Sequence, residues 1–373
     1  MRWIAALALI GCGGSSNPGA ADAGAADAPR GMPDPCIAAG TCAPGTWIDV
    51  TPPAMTIPQF GPGPVVVDPA RPTDLYVAGG GDGVWKSTDY GNTWTQTNTD
   101  LPYVPMGLVV AVAGTQPAAT VLVAGEGLLY KSTDGGTTFS TLPNTLPAEL
   151  YSLEIDPYDE QHLISGLHEM DGLVESTDGG ATWNVLASAS FPTGGISWYP
   201  FFLDTGSADT TRTSWLAIAQ DGGSVAVTSD GGGSWTIPTG IAGLQHAHGN
   251  AQIVQRGQTL LVPGIAGTGD TGQGVFRSDD LGATFAKVLD GAYSVAWGTD
   301  ANAYAMWGWA CADCDLGAGF SVAALPATST WTMPSVPDAL DIGANHVAVT
   351  HDAQHAIFVG TAWSTGIWKY VEP

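Results

Sequence analysis

From residue 45 to residue 373 short apolar runs alternate with polar turns, and no stretch sustains the three-to-four-residue spacing of an amphipathic helix. The run at Val65 is followed by the turn Asp68-Pro69-Ala70-Arg71-Pro72, a second apolar run, a glycine-rich link, a third run Gly83-Val84-Trp85-Lys86 and a short strand Thr93-Trp94-Thr95-Gln96-Thr97. The succession recurs downstream, with Asp156-Pro157-Tyr158-Asp159-Glu160 in the place of the first turn. Each unit predicts four antiparallel strands joined by tight turns.

Between the third and fourth strands stands S-x-D-x-G-x-[ST]-[WF], at Ser87–Trp94, Ser132–Phe139, Ser176–Trp183, Thr228–Trp235 and Ser278–Phe285, with starts 45, 44, 52 and 50 residues apart. A period of this size marks a repeat architecture. Residues 293–334 keep the layout without the motif. Residues 345–371 supply three strands ending in Gly366-Ile367-Trp368-Lys369-Tyr370, and the missing fourth is matched upstream by Gly45-Thr46-Trp47-Ile48-Asp49-Val50, which resembles Asn92–Thr97. The expected fold is all-β: a seven-bladed β-propeller of four-stranded antiparallel blades over 45–373, its last blade closed by an N-terminal strand so that no sheet edge is left free.

The motif resembles the Asp-box, or BNR repeat, of sialidases, sortilin-type ectodomains, Asp-box xyloglucanases and photosystem assembly factors. The resemblance implies a structural role for Asp89, Asp134, Asp178, Asp230 and Asp280, whose carboxylates accept the N–H groups of a hairpin that glycine allows to turn. Losing one such aspartate is expected to cost about 1–3 kcal/mol through orphaned buried donors. Trp85, Trp94, Trp183, Trp235, Trp331 and Trp368 fall at repeating core positions.

In a propeller the turns between strands one and two, and three and four, share one face, while the links between strands two and three and between blades share the other. The resemblance places ligand sites on that second, link face. Register then assigns His162, His351 and His355 to solvated turns on the first. It assigns to the link face His168, Glu169 and Asp171, Trp198 and Tyr199, His246 and His248, Trp307 and Trp309, and His346 and Trp363, with Asp82, Glu126, Asp221 and Asp270 in equivalent links. Aromatic faces beside carboxylates suit a neutral sugar, whose C–H faces stack on rings and whose hydroxyls bond acids. His246 and His248, two apart on a strand, point the same way and with His168 or Asp171 form a weaker candidate for a metal. No cofactor is expected, with Ca²⁺ or another divalent ion in an acidic loop as the alternative.

Composition narrows the partners. The chain of 373 residues is 44% hydrophobic and only 12% charged, with 51 Gly and 26 Pro, which suits a turn-rich globular protein. Net charge is −25 and the ten Lys and Arg are scattered, so nucleic acid and anionic membrane surfaces are poor partners. Residues 1–11 form a short apolar signal, and Leu9-Ile10-Gly11-Cys12 matches a bacterial lipobox, implying cleavage before Cys12, acylation there and an outer-membrane or cell-surface location in the envelope. Residues 12–44 read as an acidic tether. Cys36 with Cys42, and Cys311 with Cys314, are the first choice of disulfide pairs in an exported, monomeric protein, while Cys311-x-x-Cys314 also fits a redox pair or half a metal site.

A sialidase would need three arginines around the substrate carboxylate; four follow the tether, of which Arg71 falls in a turn on the wrong face and Arg277 inside a third strand. Asp-box xyloglucanases set two acids across a cleft between two such propellers, and this sequence builds one. A lyase could be assembled from His246, His248 and Tyr199 as base and acid, with Arg212 or Arg256 as neutraliser; Glu169 and Asp171 are further catalytic candidates. The sequence therefore favours a surface-anchored, non-catalytic module for a glycan or a surface protein, with a glycoside hydrolase or polysaccharide lyase as the alternative.

Overall fold

The computed structural model describes residues 43–373 apart from 58–61, 80–82, 100, 102–108, 115–116, 126, 144–145, 147, 221, 223–224, 247–251, 267–273, 291–293, 300–301, 308–318, 325–330, 333–345, 353–354 and 363–365. Cys12, Cys36, Cys42, His248, Trp309, Cys311, Cys314 and Trp363 lie outside the described residues.

Seven antiparallel sheets form the propeller. Blade one comprises Val66–Asp68, Arg71–Gly79, Gly83–Ser87 and Thr95–Asn98, and blades two and three repeat the order from Val109–Ala113 and Glu154–Asp156. Blade four has Tyr199–Phe202, Trp215–Ile218 and Val225–Thr228, with Thr236 bridged to Val227 where a fourth strand would run. Blade five, opening at Val254–Arg256, carries the extra pair Leu244–Gln245 on its second strand, Thr259–Ala266. Blade six opens at Ser294–Trp297. Blade seven consists of His346–His351, Ala356–Ala362 and Gly366–Val371, and Trp47–Asp49 completes it as the outermost strand, Trp47 pairing with Tyr370 and Asp49 with Trp368. One short helix, Ala208–Thr211, lies between the first two strands of blade four.

Second strands show why the apolar runs are continuous rather than alternating. Leu75, Tyr76, Val77 and Ala78 are all fully buried, because each blade is covered on both faces by its neighbours. Tyr76 and Ala78 pack toward blade two, while Leu75 and Val77 join Ile357, Val359 and Ile367 of blade seven. The ring closes through core as well as backbone. Lys369 of blade seven adds a polar clasp, its Nζ donating to Asn92 Oδ1 in the hairpin of blade one at 2.7 Å. Burial depresses that ammonium to about 8.

Each repeated hairpin is built alike. In blade three the Ser176 hydroxyl donates to Asp178 Oδ1 at 2.9 Å and accepts the Gly180 N–H at 2.9 Å, while Asp178 takes the Thr182 N–H and hydroxyl at 2.8 and 2.6 Å. Gly180 has φ +90°, and a Cβ there would stand 2.6 Å from Leu129 of blade two, so glycine meets both a turn and a close approach. Tyr90 and Leu281 occupy the place held elsewhere by the preceding glycine and take φ of 60° and 54°. The hydrogen bonds hold Asp134, Asp178, Asp230 and Asp280 below their ordinary range, Asp134 and Asp230 to about 2 with Thr138 and Ser234 as the leading donors.

Four of the five aspartates are exposed and Asp89 is half-buried, whereas the Ser or Thr that opens each hairpin is buried, which corrects the expected energetics. Ser176 is 0% exposed, whereas Asp178 faces water. Ser176→Ala strips the buried Gly180 N–H of its acceptor and is expected to cost about 2 kcal/mol, against about 1 kcal/mol or less for Asp178→Asn, whose donors can turn to water. Urea denaturation midpoints of the two variants check this order.

A second correction concerns His162. It is not solvated: 2% exposed, it lies in the second strand of blade three with Nδ1 2.9 Å from Asp156 Oδ2 and Nε2 2.9 Å from Glu175 Oε1. His351 is exposed at the turn, and the half-buried His355 sits 3.3 Å from Asp352.

Candidate functional site

The innermost strands surround a central channel. Its section toward the link face has a volume of about 250 Å³, and a wider section toward the hairpin face has about 760 Å³. The two share a wall at Glu154, Ile155, Phe201, Gln252 and Ile253. Gln252 uses its side-chain amide as a strand would, accepting the Val347 N–H at 3.0 Å and donating to the Val347 carbonyl, which ties the entrance of blade five to the innermost strand of blade seven.

Where the link face meets the channel, blades three, four and five bring four rings together. Tyr151 stacks on His168 at 5.5 Å with planes 4° apart, meets Tyr199 edge-on at 6.3 Å and lies 5.7 Å from His246, which is itself 5.6 Å from Tyr199. Tyr151 donates its hydroxyl proton to Gln220 Oε1 at 2.8 Å. His168 Nδ1 lies 2.6 Å from Glu149 Oε1, and the two side chains are 25% and 37% exposed. Below them, burial alone pushes the Glu154 carboxyl up to about 8, because the channel wall that holds it lies deep within the ring. Tyr199 is raised by the same burial and by Glu154 beside it.

The backbone that presents this cluster is held in a strained clamp. Glu169 and Ser197, neither of them glycine, have φ of 53° and 51°; the Glu169 N–H donates to Ser197 Oγ at 2.9 Å, and the Ser197 N–H to the Met170 carbonyl at 3.1 Å. Such geometry persists only where its surroundings enforce it. A Cβ on Gly166 would fall 1.8 Å from the Trp198 carbonyl, so glycine lets the blade-three link press against the entrance of blade four.

The expected residues thus take different places. His168, Tyr199 and His246 converge, but His246 is fully buried with Nε2 2.9 Å from the Ser197 carbonyl, so it is a support rather than a surface. Trp198, expected to offer its face, is also fully buried, in the core with Ile164 and Trp215, and Asp171 is engaged by its indole N–H at 3.0 Å and by the Gly194 N–H at 3.2 Å. Both belong to the clamp. His346 lines the narrow section of the channel across from these blades, and Trp307 ends its strand at the link face. Among the described residues no three His, Cys, Asp or Glu side chains gather as a metal-binding group.

Of the lyase candidates His246 and Tyr199 meet, at 5.6 Å, but neither arginine stands with them. Arg212 follows the short helix on the hairpin face and is exposed, while Arg256 lies over the Trp297 ring at 5.0 Å and donates to the Thr299 and Gly298 carbonyls. Glu149, Tyr151, Glu154 and Gln220 are absent from the sequence-derived set. Glu149 and Tyr151 lie in a between-blade link, in the same register as Trp198 and Tyr199, so register could have found them; nothing local marks Glu154, which opens the short strand Glu154–Asp156.

No family model matches the chain. A curated relative, a xyloglucanase from a Paenibacillus species, is 29% identical over 150 residues, spanning 33% of this chain and 14% of the relative. Among solved structures, the GH74 xyloglucanase from Xanthomonas campestris matches with a TM-score of 0.63 at 19% identity, over 87% of this chain and 53% of that one. The GH74 enzyme of Niastella koreensis gives 0.61 at 17% over 88% and 55%, and YCF48 from Cyanidioschyzon merolae 0.56 at 16% over 88% and 99%. The chain spans about half the length of these two GH74 structures, and at these identities the likeness is one of fold: a seven-bladed propeller with a xyloglucanase among its structural neighbours.

Proposed function

We propose that this is a carbohydrate-active Asp-box propeller that engages a xyloglucan-like polysaccharide across its link face, with cleavage favoured over passive retention. The single observation that supports the place is the Tyr151–His168–Tyr199 ring cluster at the channel mouth, with Glu149 holding His168. Rings and carboxylates there match a sugar's C–H faces and hydroxyls. The likeness to xyloglucanases supports both the substrate class and turnover. Anchored through an acylated Cys12 at the bacterial surface, such a domain would meet polysaccharide outside the cell.

The test is to incubate the full chain with xyloglucan and measure both retention and new reducing ends. Reducing ends that accumulate with time are the expected result; retention without them leaves the non-catalytic binding module; neither would overturn both. Tyr151→Ala removes the platform on which His168 is stacked and is expected to weaken retention about tenfold, in line with one lost stacking contact.

A further inference from the structure

The turn that joins the first two strands of blade three carries a side chain that the turn itself does not require. Tyr158 is 49% exposed although its backbone is firmly held, its N–H donating at 2.9 Å to Oδ1 of the buried Asp156. In blade one the same turn is made by Ala70, whose N–H donates to Asp68 Oδ1 at 2.9 Å, with the same break in strand register. The turn is thus complete without the ring. The Tyr158 hydroxyl crosses to blade four and donates to Asp204 Oδ1 at 2.9 Å. Asp204 is fixed in its turn by Gln255 of blade five, which accepts its N–H at 2.9 Å and donates to its carbonyl at 2.6 Å. The Gly206 N–H and the Thr211 hydroxyl reach the same Oδ1 at 2.8 and 3.4 Å. Every donor to this carboxylate among the described residues falls on Oδ1, and the side chain is exposed, so Oδ2 keeps its acceptor capacity toward solvent.

We infer that Tyr158 and Asp204 form a second sugar-contact site, on the hairpin face, where the exposed ring stacks on the C–H face of a neutral glycan unit and Asp204 Oδ2 accepts one of its hydroxyls. A hydrogen bond joins the two groups, so one sugar ring reaches both. The ligand class follows from the pair: a flat apolar face bordered by an acceptor-only carboxylate matches a pyranose, while an anionic sugar is repelled there and by a chain of net charge −25. A ring held at its backbone and at its hydroxyl has little freedom left to lose when a ligand arrives, which favours it as a recognition surface. Pro157, Asp204 and Gln255 also line the wider section of the channel, so the site opens beside a recess. It lies on the face opposite the Tyr151 cluster, and only the choice of xyloglucan as its ligand rests on the reading given above. Contact on both faces lets one domain hold two chains.

Fluorine NMR of the full chain labelled with fluorotyrosine tests the site directly, with Tyr158→Phe and Tyr151→Phe assigning the two resonances and a xyloglucan oligosaccharide as the ligand. The Tyr158 resonance is expected to shift saturably on titration, and to do so equally in Tyr151→Ala, which disables the link face. Asp204→Ala should raise the midpoint of that shift about fivefold, in line with one lost hydrogen bond. Sorbitol, which brings hydroxyls without a ring face, should leave the resonance in place. A Tyr158 resonance that the oligosaccharide does not move, or that sorbitol moves as far, overturns the proposal, as does a midpoint unchanged by Asp204→Ala. The Tyr151 resonance is read in the same spectra, so a link face that fails to bind is seen apart from failure at Tyr158.

Discussion

Replacing Glu372 by alanine is expected to lower the unfolding free energy by about 3–4 kcal/mol, one of the largest single-residue losses in this ring. Glu372 lies one residue from the end of the sequence yet is only 1% exposed, because its carboxylate is inserted under blade six. There it accepts from the Tyr304 hydroxyl at 2.7 Å, Asn302 Nδ2 at 2.8 Å and the Thr299 N–H at 2.8 Å. Alanine leaves three donors without an acceptor where water has little access, at about 1 kcal/mol or more each. Glu372→Gln keeps the shape and one acceptor oxygen, and should lose about half as much. Urea denaturation of both variants checks the order, and equal losses would show that packing rather than these hydrogen bonds decides. Burial raises the carboxyl, but the bonds from Asn302, Tyr304 and Thr299 outweigh it and leave it below its ordinary value. The sign follows: this stability is present above the unfolded carboxylate range near 4.5 and is lost as pH falls through the lower folded value.

His162→Ala is the second large loss, about 3–5 kcal/mol. The ring bridges Asp156, itself 2% exposed, to Glu175 and packs against Phe202 at 5.0 Å and Trp215 at 6.1 Å in blade four. Alanine strands the Asp156 carboxylate with the Tyr158 N–H as its remaining hydrogen-bond donor, at 2.9 Å. Burial opposes the charged imidazolium, but the bonds to Glu175 and Asp156 prevail and raise it above 6.5. Its contribution is therefore complete below pH 6.5 and declines as pH rises through the folded value, opposite in sense to that of Glu372. Urea midpoints measured from pH 5 to pH 9 should fall on the alkaline side for the wild type, and His162→Ala should flatten that limb. An unchanged alkaline limb would mean that the imidazolium adds nothing to the fold.

The two cases show how tertiary structure overrides position in the chain. His162 reads from the sequence as a turn residue, and nothing in the sequence singles out Glu372. Each is buried because a propeller turns strand ends inward against the next blade, and a partner in another strand or blade then decides whether the charge is tolerated. Trp198 and His246 moved the other way, from ligand candidates to supports, since the clamp at Glu169 and Ser197 draws the entrance of blade four beneath the blade-three link.

The sequence by itself determined the ring. Strand count, hairpin chemistry and the closure of blade seven by Trp47–Asp49 are local or periodic properties, written in the spacing of five repeated turns and in the likeness of two short segments. Only the tertiary structure decided which side chains share a mouth and which lose contact with water. Glu149 and Tyr151 join Tyr199 from an adjacent blade, and Glu154 and Trp297 share a channel although more than a hundred residues separate them. Burial and between-blade distance come from the closing of the ring, which places residues side by side without leaving a trace in their local pattern.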